Sequence, residues 1–145
     1  MKNRTALAFA AALAVASTGA LATDLVIATV NNGHMIEMQK LTPAFEKAHP
    51  DIKLKWVTLE EGMLRSRVTT DIATKGGQFD VMTIGMYETP IWGKKGWLKE
   101  LKTDAAYDVD DLLPAMRNGL SVDGKLYASP FYGESSMLMY RKDLA

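Results

Sequence analysis

The sequence predicts an α/β fold, an open and mostly parallel sheet with flanking helices. Three observations carry it. Short apolar runs of strand type recur near residues 25, 54 and 81, helical stripes of apolar residues fill both gaps, and turn-forming residues separate the segments. Strand, helix, strand, helix, strand is the pattern of a right-handed parallel unit, because parallel neighbours need a long crossover between them.

The first strand is Leu25-Val26-Ile27-Ala28, continuously apolar as a strand buried on both faces must be. Asn31-Asn32-Gly33 ends it with turn chemistry. Met35, Met38, Leu41, Phe45 and Ala48 then recur at steps of three and four, one face of a helix that His49-Pro50 ends. Pro43 falls inside this helix and removes a backbone donor, so a kink or a split is expected. Ile52-Lys53-Leu54-Lys55-Trp56-Val57 alternates, giving a second strand with one wetter face.

Glu60 and Glu61 favour a helix start through attraction to the helix dipole. Leu64, Val68 and Ile72 are its buried stripe, and Gly76-Gly77 is its stop signal. Phe79-Asp80-Val81-Met82-Thr83-Ile84 is the third strand, ended by Gly85. Beyond Trp92 the pattern loosens. Lys94-Lys95-Gly96-Trp97-Leu98 reads as a turn and a packed aromatic, and residues 108–120 as a short helix around Leu112, Leu113 and Met116. Asp123-Gly124 between apolar flanks is a hairpin signal. Ser136-Met137-Leu138-Met139-Tyr140 reads as another strand, with residues 141–145 beginning a further element.

Residues 1–22 have the order of a cleavable secretory signal: Lys2 and Arg4, an apolar run over residues 6–16, then the small-residue site Ala20-Leu21-Ala22. The run is shorter than the ~20 residues that cross a bilayer. Cleavage is expected after Ala22, leaving residues 23–145. That part carries 15 of the 17 Lys and Arg, since Lys2 and Arg4 leave with the signal, against 17 Asp and Glu. This balance excludes a nucleic-acid binder, which needs a clustered cationic face. The chain has no cysteine, which excludes disulfides and a thiol-anchored lipoprotein. Soluble release into the periplasm is the expectation.

Recognisable catalytic chemistry is scarce. Gly93-Lys94-Lys95-Gly96 lacks the spacing of a phosphate loop, and Gly133-Glu134-Ser135-Ser136 is not a nucleophile elbow. His34, Glu37 and Glu61 are too sparse for a metal set, and His34 is better read as a residue at the helix start or the rim. No catalytic residue, metal or cofactor is expected.

Ligands of open parallel sheets gather at the carboxyl ends of the strands. That rule selects residues 31–34, 58–61 and 85–92, hence Asn31, Asn32, Glu61, Tyr87, Glu88 and Trp92, and the aromatic segment before the last strand adds Tyr132 and Glu134. Aromatic faces cover C–H surface while amides and carboxylates bond hydroxyls, a combination suited to a neutral polyhydroxylated ligand. A core position is the competing reading of Trp92, and Trp97 is assigned to the core. A periplasmic α/β enzyme acting on carbohydrates is the alternative function.

Several motifs also arrive in a familiar order: Phe45-Glu46-Lys47-Ala48-His49-Pro50-Asp51-Ile52, Gly77-Gln78-Phe79-Asp80-Val81, Gly96-Trp97-Leu98-Lys99-Glu100-Leu101, Asp123-Gly124-Lys125-Leu126-Tyr127-Ala128-Ser129-Pro130 and Leu138-Met139-Tyr140-Arg141-Lys142-Asp143-Leu144. In this the chain resembles the family 1 extracellular solute-binding proteins of ABC importers, the group that includes maltose-binding protein. The run Tyr87-Glu88-Thr89-Pro90-Ile91-Trp92-Gly93-Lys94-Lys95-Gly96-Trp97 is most similar to the sorbitol- and mannitol-binding members.

The resemblance implies a type II periplasmic binding protein fold, with residues 23–145 forming the first part of the N-terminal lobe and the second lobe absent. It implies a monomer that takes a sugar or sugar alcohol to the permease subunits of the inner membrane. It implies ligand contacts at Asn31 and Asn32, Tyr87 and Glu88, and Tyr132 and Glu134. Gly85-Met86-Tyr87-Glu88 departs from the maltose-type pattern, which favours a smaller acyclic polyol.

Overall fold

The computed structural model describes residues 22–135 and 137–144. The signal expected over residues 1–22 therefore lies outside the described residues, Ala22 excepted. Strand β1 (Thr23–Val30) pairs in parallel with β2 (Ile52–Leu59) over all eight residues, from Thr23 opposite Ile52 to Val30 opposite Leu59. On its other side β1 pairs in parallel with β3 (Val81–Met82), so the sheet order is β2-β1-β3.

The third strand is shorter than the expected residues 79–84, and Asp80 explains its late start. Its Oδ2 accepts from the Val26 amide at 2.8 Å while its own amide donates to the Val26 carbonyl at 2.9 Å. A side chain thus replaces a ladder bond, and Phe79 before it turns into the core.

Between β1 and β2 the expected helix is split into α1 (Gly33–Lys40) and α2 (Thr42–Ala48), with Leu41 as the joint. Pro43 sits in the first turn of α2, where its missing donor costs nothing. Only Met35 of the expected stripe is buried; Leu41 and Ala48 are exposed. Glu46 ties α2 to β2 by accepting from Lys53 Nζ at 2.9 Å and from the Leu54 amide at 3.0 Å. Trp56 adds a bond from its indole N–H to Thr42 Oγ1 at 2.9 Å.

Helix α3 (Glu61–Thr74) covers the opposite face of the sheet. Its Leu64 and Val68 pack with Ala28, Phe79 and Trp92, and Val26, Val30, Val57 and Leu59 border this core. The parallel register sets Ala28 beside Val57 and Val30 beside Leu59, so one face of two strands meets one stripe of a helix. Burying a side chain such as Val68 contributes roughly 1.5–3 kcal/mol. The stop comes one residue earlier than the glycine pair: Lys75 takes the left-handed conformation (φ 54°) and the Gly76 amide donates to Asp71 O at 2.8 Å. The buried Asp71 carboxylate accepts from the Gln78 amide at 3.0 Å.

Helix α4 (Glu88–Lys94) follows β3, and Trp97 packs against Trp92 at 6.3 Å between ring centres with the rings tilted by 51°, a packed position as expected. The helix expected over residues 108–120 is divided. A 3-10 turn occupies Val109–Asp111, and α5 is confined to Pro114–Gly119. Proline drives the preceding residue out of the helical region, and Leu113 accordingly has ψ 127°. The hairpin forms as the Asp-Gly signal requires: β4 (Ser121–Val122) and β5 (Lys125–Leu126) are antiparallel, with positive φ at Asp123 (50°) and Gly124 (76°).

Of the strand expected over residues 136–140, the described residues 137–140 are not in a strand. Residues 137–140 are unpaired, with Leu138 89% exposed, because no described strand lies alongside to complete a ladder. Among the described residues no helix is long and apolar enough to cross a membrane.

Candidate functional site

The order β2-β1-β3 makes the carboxyl ends of β1 and β3 a topological switch point. The chain leaves β1 toward β2 and then returns to the other side of β1, so the two exit loops diverge and leave a crevice. Asn31 and Asn32 follow β1, Glu60 and Glu61 follow β2, and residues 83–88 follow β3. All three strands are parallel, so these loops share one edge of the sheet.

Two corners of this edge are built differently. At the first, Arg65 on α3 donates from Nη2 to Glu61 Oε1 at 2.7 Å and from Nη1 to Glu88 Oε1 at 2.6 Å. The Glu61 bond, then the Glu88 charge, raise the Arg65 guanidinium above its ordinary pKa. The second Glu88 oxygen accepts from the Gly85 amide at 3.0 Å. Thr89, fully buried, donates from its hydroxyl and its amide to the Gly85 carbonyl at 2.9 and 3.2 Å.

At the second corner Asn32 caps α1, its Oδ1 accepting from the Met35 amide at 2.9 Å. Its Nδ2 donates to the Tyr132 hydroxyl at 3.1 Å, a bond across 100 residues of sequence. Tyr132 accepts there, so its hydroxyl proton is available to a ligand. The His34 ring lies 5.3 Å from Tyr132 and 6.4 Å from Phe131, which forms an edge contact with Tyr132 at 5.3 Å. Apolar ring faces, an amide and a phenol are thereby collected in one place.

The expected site residues are sorted by this geometry. Asn32 and Tyr132 come together, and Tyr87 stands 75% exposed at the β3 exit. Glu61 and Glu134 are exposed, and Asn31 lines an open groove of about 660 Å³ with Gln39, Lys40 and Glu60. Two residues depart from the rim reading. Trp92 is buried in the core against Leu64 and Val68, because it lies one turn along α4 on the face that meets α3. Glu88 is turned inward, since Arg65 and the Gly85 amide supply the partners a buried carboxylate needs. Arg65 is the addition, while His34 and Phe131, read in sequence at the rim but not counted among the contacts, join the Tyr132 corner. The Glu61–Arg65 spacing of four on a helix was the visible signal for Arg65. Among the described residues no group of three or more His, Asp or Glu is placed to hold a metal ion.

An α/β lobe with polar and aromatic groups gathered at its switch point defines a ligand-binding module. Residues 32–145 match the family described as bacterial extracellular solute-binding protein, and the chain belongs to that family. The mannitol-binding protein of Pseudomonas aeruginosa is 60% identical over 136 residues, covering 93% of this chain and 31% of the relative. A solute-binding protein of an ABC transporter from Agrobacterium vitis, solved with bound D-mannitol, superposes with a TM-score of 0.76 at 68% identity, over 83% of this chain and 30% of that one. Another from Agrobacterium radiobacter, in complex with ribitol, gives a TM-score of 0.68 at 25% identity, over 77% of this chain and 29% of that one. The fold is that of the type II periplasmic binding proteins, consistent with part of an N-terminal lobe. The chain spans about a third of the length of the curated mannitol-binding relative it matches.

Proposed function

We propose that this protein is the periplasmic substrate-binding component of an ABC importer and captures an acyclic sugar alcohol, D-mannitol or D-sorbitol. The carrying observation is the 60% and 68% identity to a mannitol-binding protein and to a protein solved with D-mannitol. In this reading residues 1–22 are removed after Ala22, and residues 23–145 are the first part of lobe 1 of a two-lobed monomer. The protein binds and releases its ligand at the permease subunits of the inner membrane and carries out no reaction on it.

Asn31, Asn32, Glu61, Tyr87, Tyr132 and Glu134 face the ligand, with Glu88 holding the loop behind Tyr87. A neutral polyol suits this set: each hydroxyl needs a donor and an acceptor, and each C–H face needs an apolar surface. Titration calorimetry on the full-length protein tests the reading. Saturable binding of D-mannitol or D-sorbitol without binding of maltose is expected; binding of maltose and of neither hexitol overturns it.

A further inference from the structure

The loop between β3 and α4 is held more tightly than a surface loop requires. Four hydrogen bonds fix it: Arg65 to Glu88, the Gly85 amide to Glu88, and the Thr89 hydroxyl and amide to the Gly85 carbonyl. A Cβ at residue 85 would lie 2.8 Å from Glu88 Oε2, so any side chain there would push the Glu88 carboxylate out of its place. The Glu88 side chain is 11% exposed, so its oxygens rely on the partners beside them in place of water. Between Gly85 and Glu88, Tyr87 is left 75% exposed at the switch point.

Arg65 stands outside this loop, on α3, and reaches it only through Glu88. Its charge is matched by two carboxylates, Glu88 and the exposed Glu61. A cation so compensated has little electrostatic use for a neutral ligand. It has a mechanical one, because without it Glu88 would lose its side-chain partner and swing out, and the Gly85 amide would lose its acceptor.

We propose that Arg65 is a positioning residue for the sugar-alcohol site: it locks Glu88, Glu88 locks the Gly85 turn, and the turn presents Tyr87 to the ligand in one conformation. The gain is preorganisation, since a loop already held in its bound form loses less freedom on binding. The assignment rests on the sugar-alcohol reading given above.

The test is calorimetry of D-mannitol binding to the full-length protein, with melting temperatures, for wild type, Arg65→Met, Arg65→Lys, Glu88→Gln and the double variant. Arg65→Met is expected to weaken binding about tenfold, Arg65→Lys to recover most of that loss, and Arg65→Met in the Glu88→Gln background to add less than about twofold. A lower melting temperature with unchanged affinity would make Arg65 merely structural and overturn the proposal. Additive losses in the double variant also overturn it, because Arg65 would then act on the ligand independently of Glu88. Should Arg65→Met fail to fold, Glu88→Gln alone decides: about tenfold weaker binding supports the proposal and wild-type affinity refutes it. Wild-type protein that binds no hexitol overturns the functional reading and this assignment with it, a result distinct from normal wild-type binding beside an indifferent Arg65→Met.

Discussion

The two corners of the crevice reach order by opposite routes. At the Glu61–Arg65–Glu88 corner the partners lie within 27 residues of sequence and are joined by short charged bonds. Behind them Trp92 packs on Leu64 and Val68, so the corner stands on the main core. At the Asn32–Tyr132 corner the partners are 100 residues apart and meet through one exposed hydrogen bond and a group of rings. The first corner is scaffold that shapes a loop; the second presents its polar groups outward. Stability and recognition are therefore expected to separate under mutation.

Trp92→Ala strikes the support of the first corner and should have the largest effect. Removing a buried Trp costs about 3–5 kcal/mol through lost burial and the cavity left behind, readable as a shift of the denaturant midpoint in the full-length protein. A loss below about 1 kcal/mol would place Trp92 at the surface and remove the distinction between the corners.

Tyr132→Phe strikes the second corner. The ring stays, the Asn32 bond goes, and about 0.5–1.5 kcal/mol is at stake. Weaker D-mannitol binding with a melting temperature close to wild type is expected. A destabilisation equal to that of Trp92→Ala would mean that both corners are scaffold.

The smallest effect is one of pH, away from both corners. The Lys53 ammonium first, and then the Leu54 amide, hold the Glu46 carboxylate below its ordinary pKa of 4.5. A carboxylate with a depressed folded value contributes stability above its unfolded value and loses that contribution as pH falls through the folded one. Glu46→Gln should therefore lower the melting temperature slightly at pH 6, and the gap to wild type should close as pH falls below 4.5. A gap that widens on acidification would show that Glu46 does not hold α2 to β2.

Local pattern made the scaffold legible. The apolar run of β1, the alternation of β2 and the Leu64–Val68 step each follow from residues a few positions apart, and so does the Asp123-Gly124 turn. What sequence missed depends on contacts at a distance. β3 starts late because the Asp80 side chain displaces a ladder bond to Val26. Residues 137–140 form a continuous apolar run of strand type but have no described neighbour to pair with. At the sheet edge, a strand end pointed to Asn32 and the aromatic segment before the last expected strand pointed to Tyr132, but their bond to each other was not legible. Glu88 and Trp92 carried the same signal yet face inward, since residue type alone does not say which face of a four-residue helical step meets α3. Arg65 escaped notice because a Glu and an Arg four apart on a helix are ordinary surface chemistry until a third partner arrives from another element.

The bond from Asn32 to Tyr132 also sets an order of events in time. With synthesis at about 5–20 residues per second, Tyr132 follows Asn32 by roughly 5–20 s. The sheet and the Arg65 corner need only residues up to about 98, so their components exist well before the aromatic corner can close. Long loop closure comes late because its entropy must be overcome before the contact rewards it. A refolding experiment would thus register the core packed by residues 26–98 before the bond between Asn32 and Tyr132.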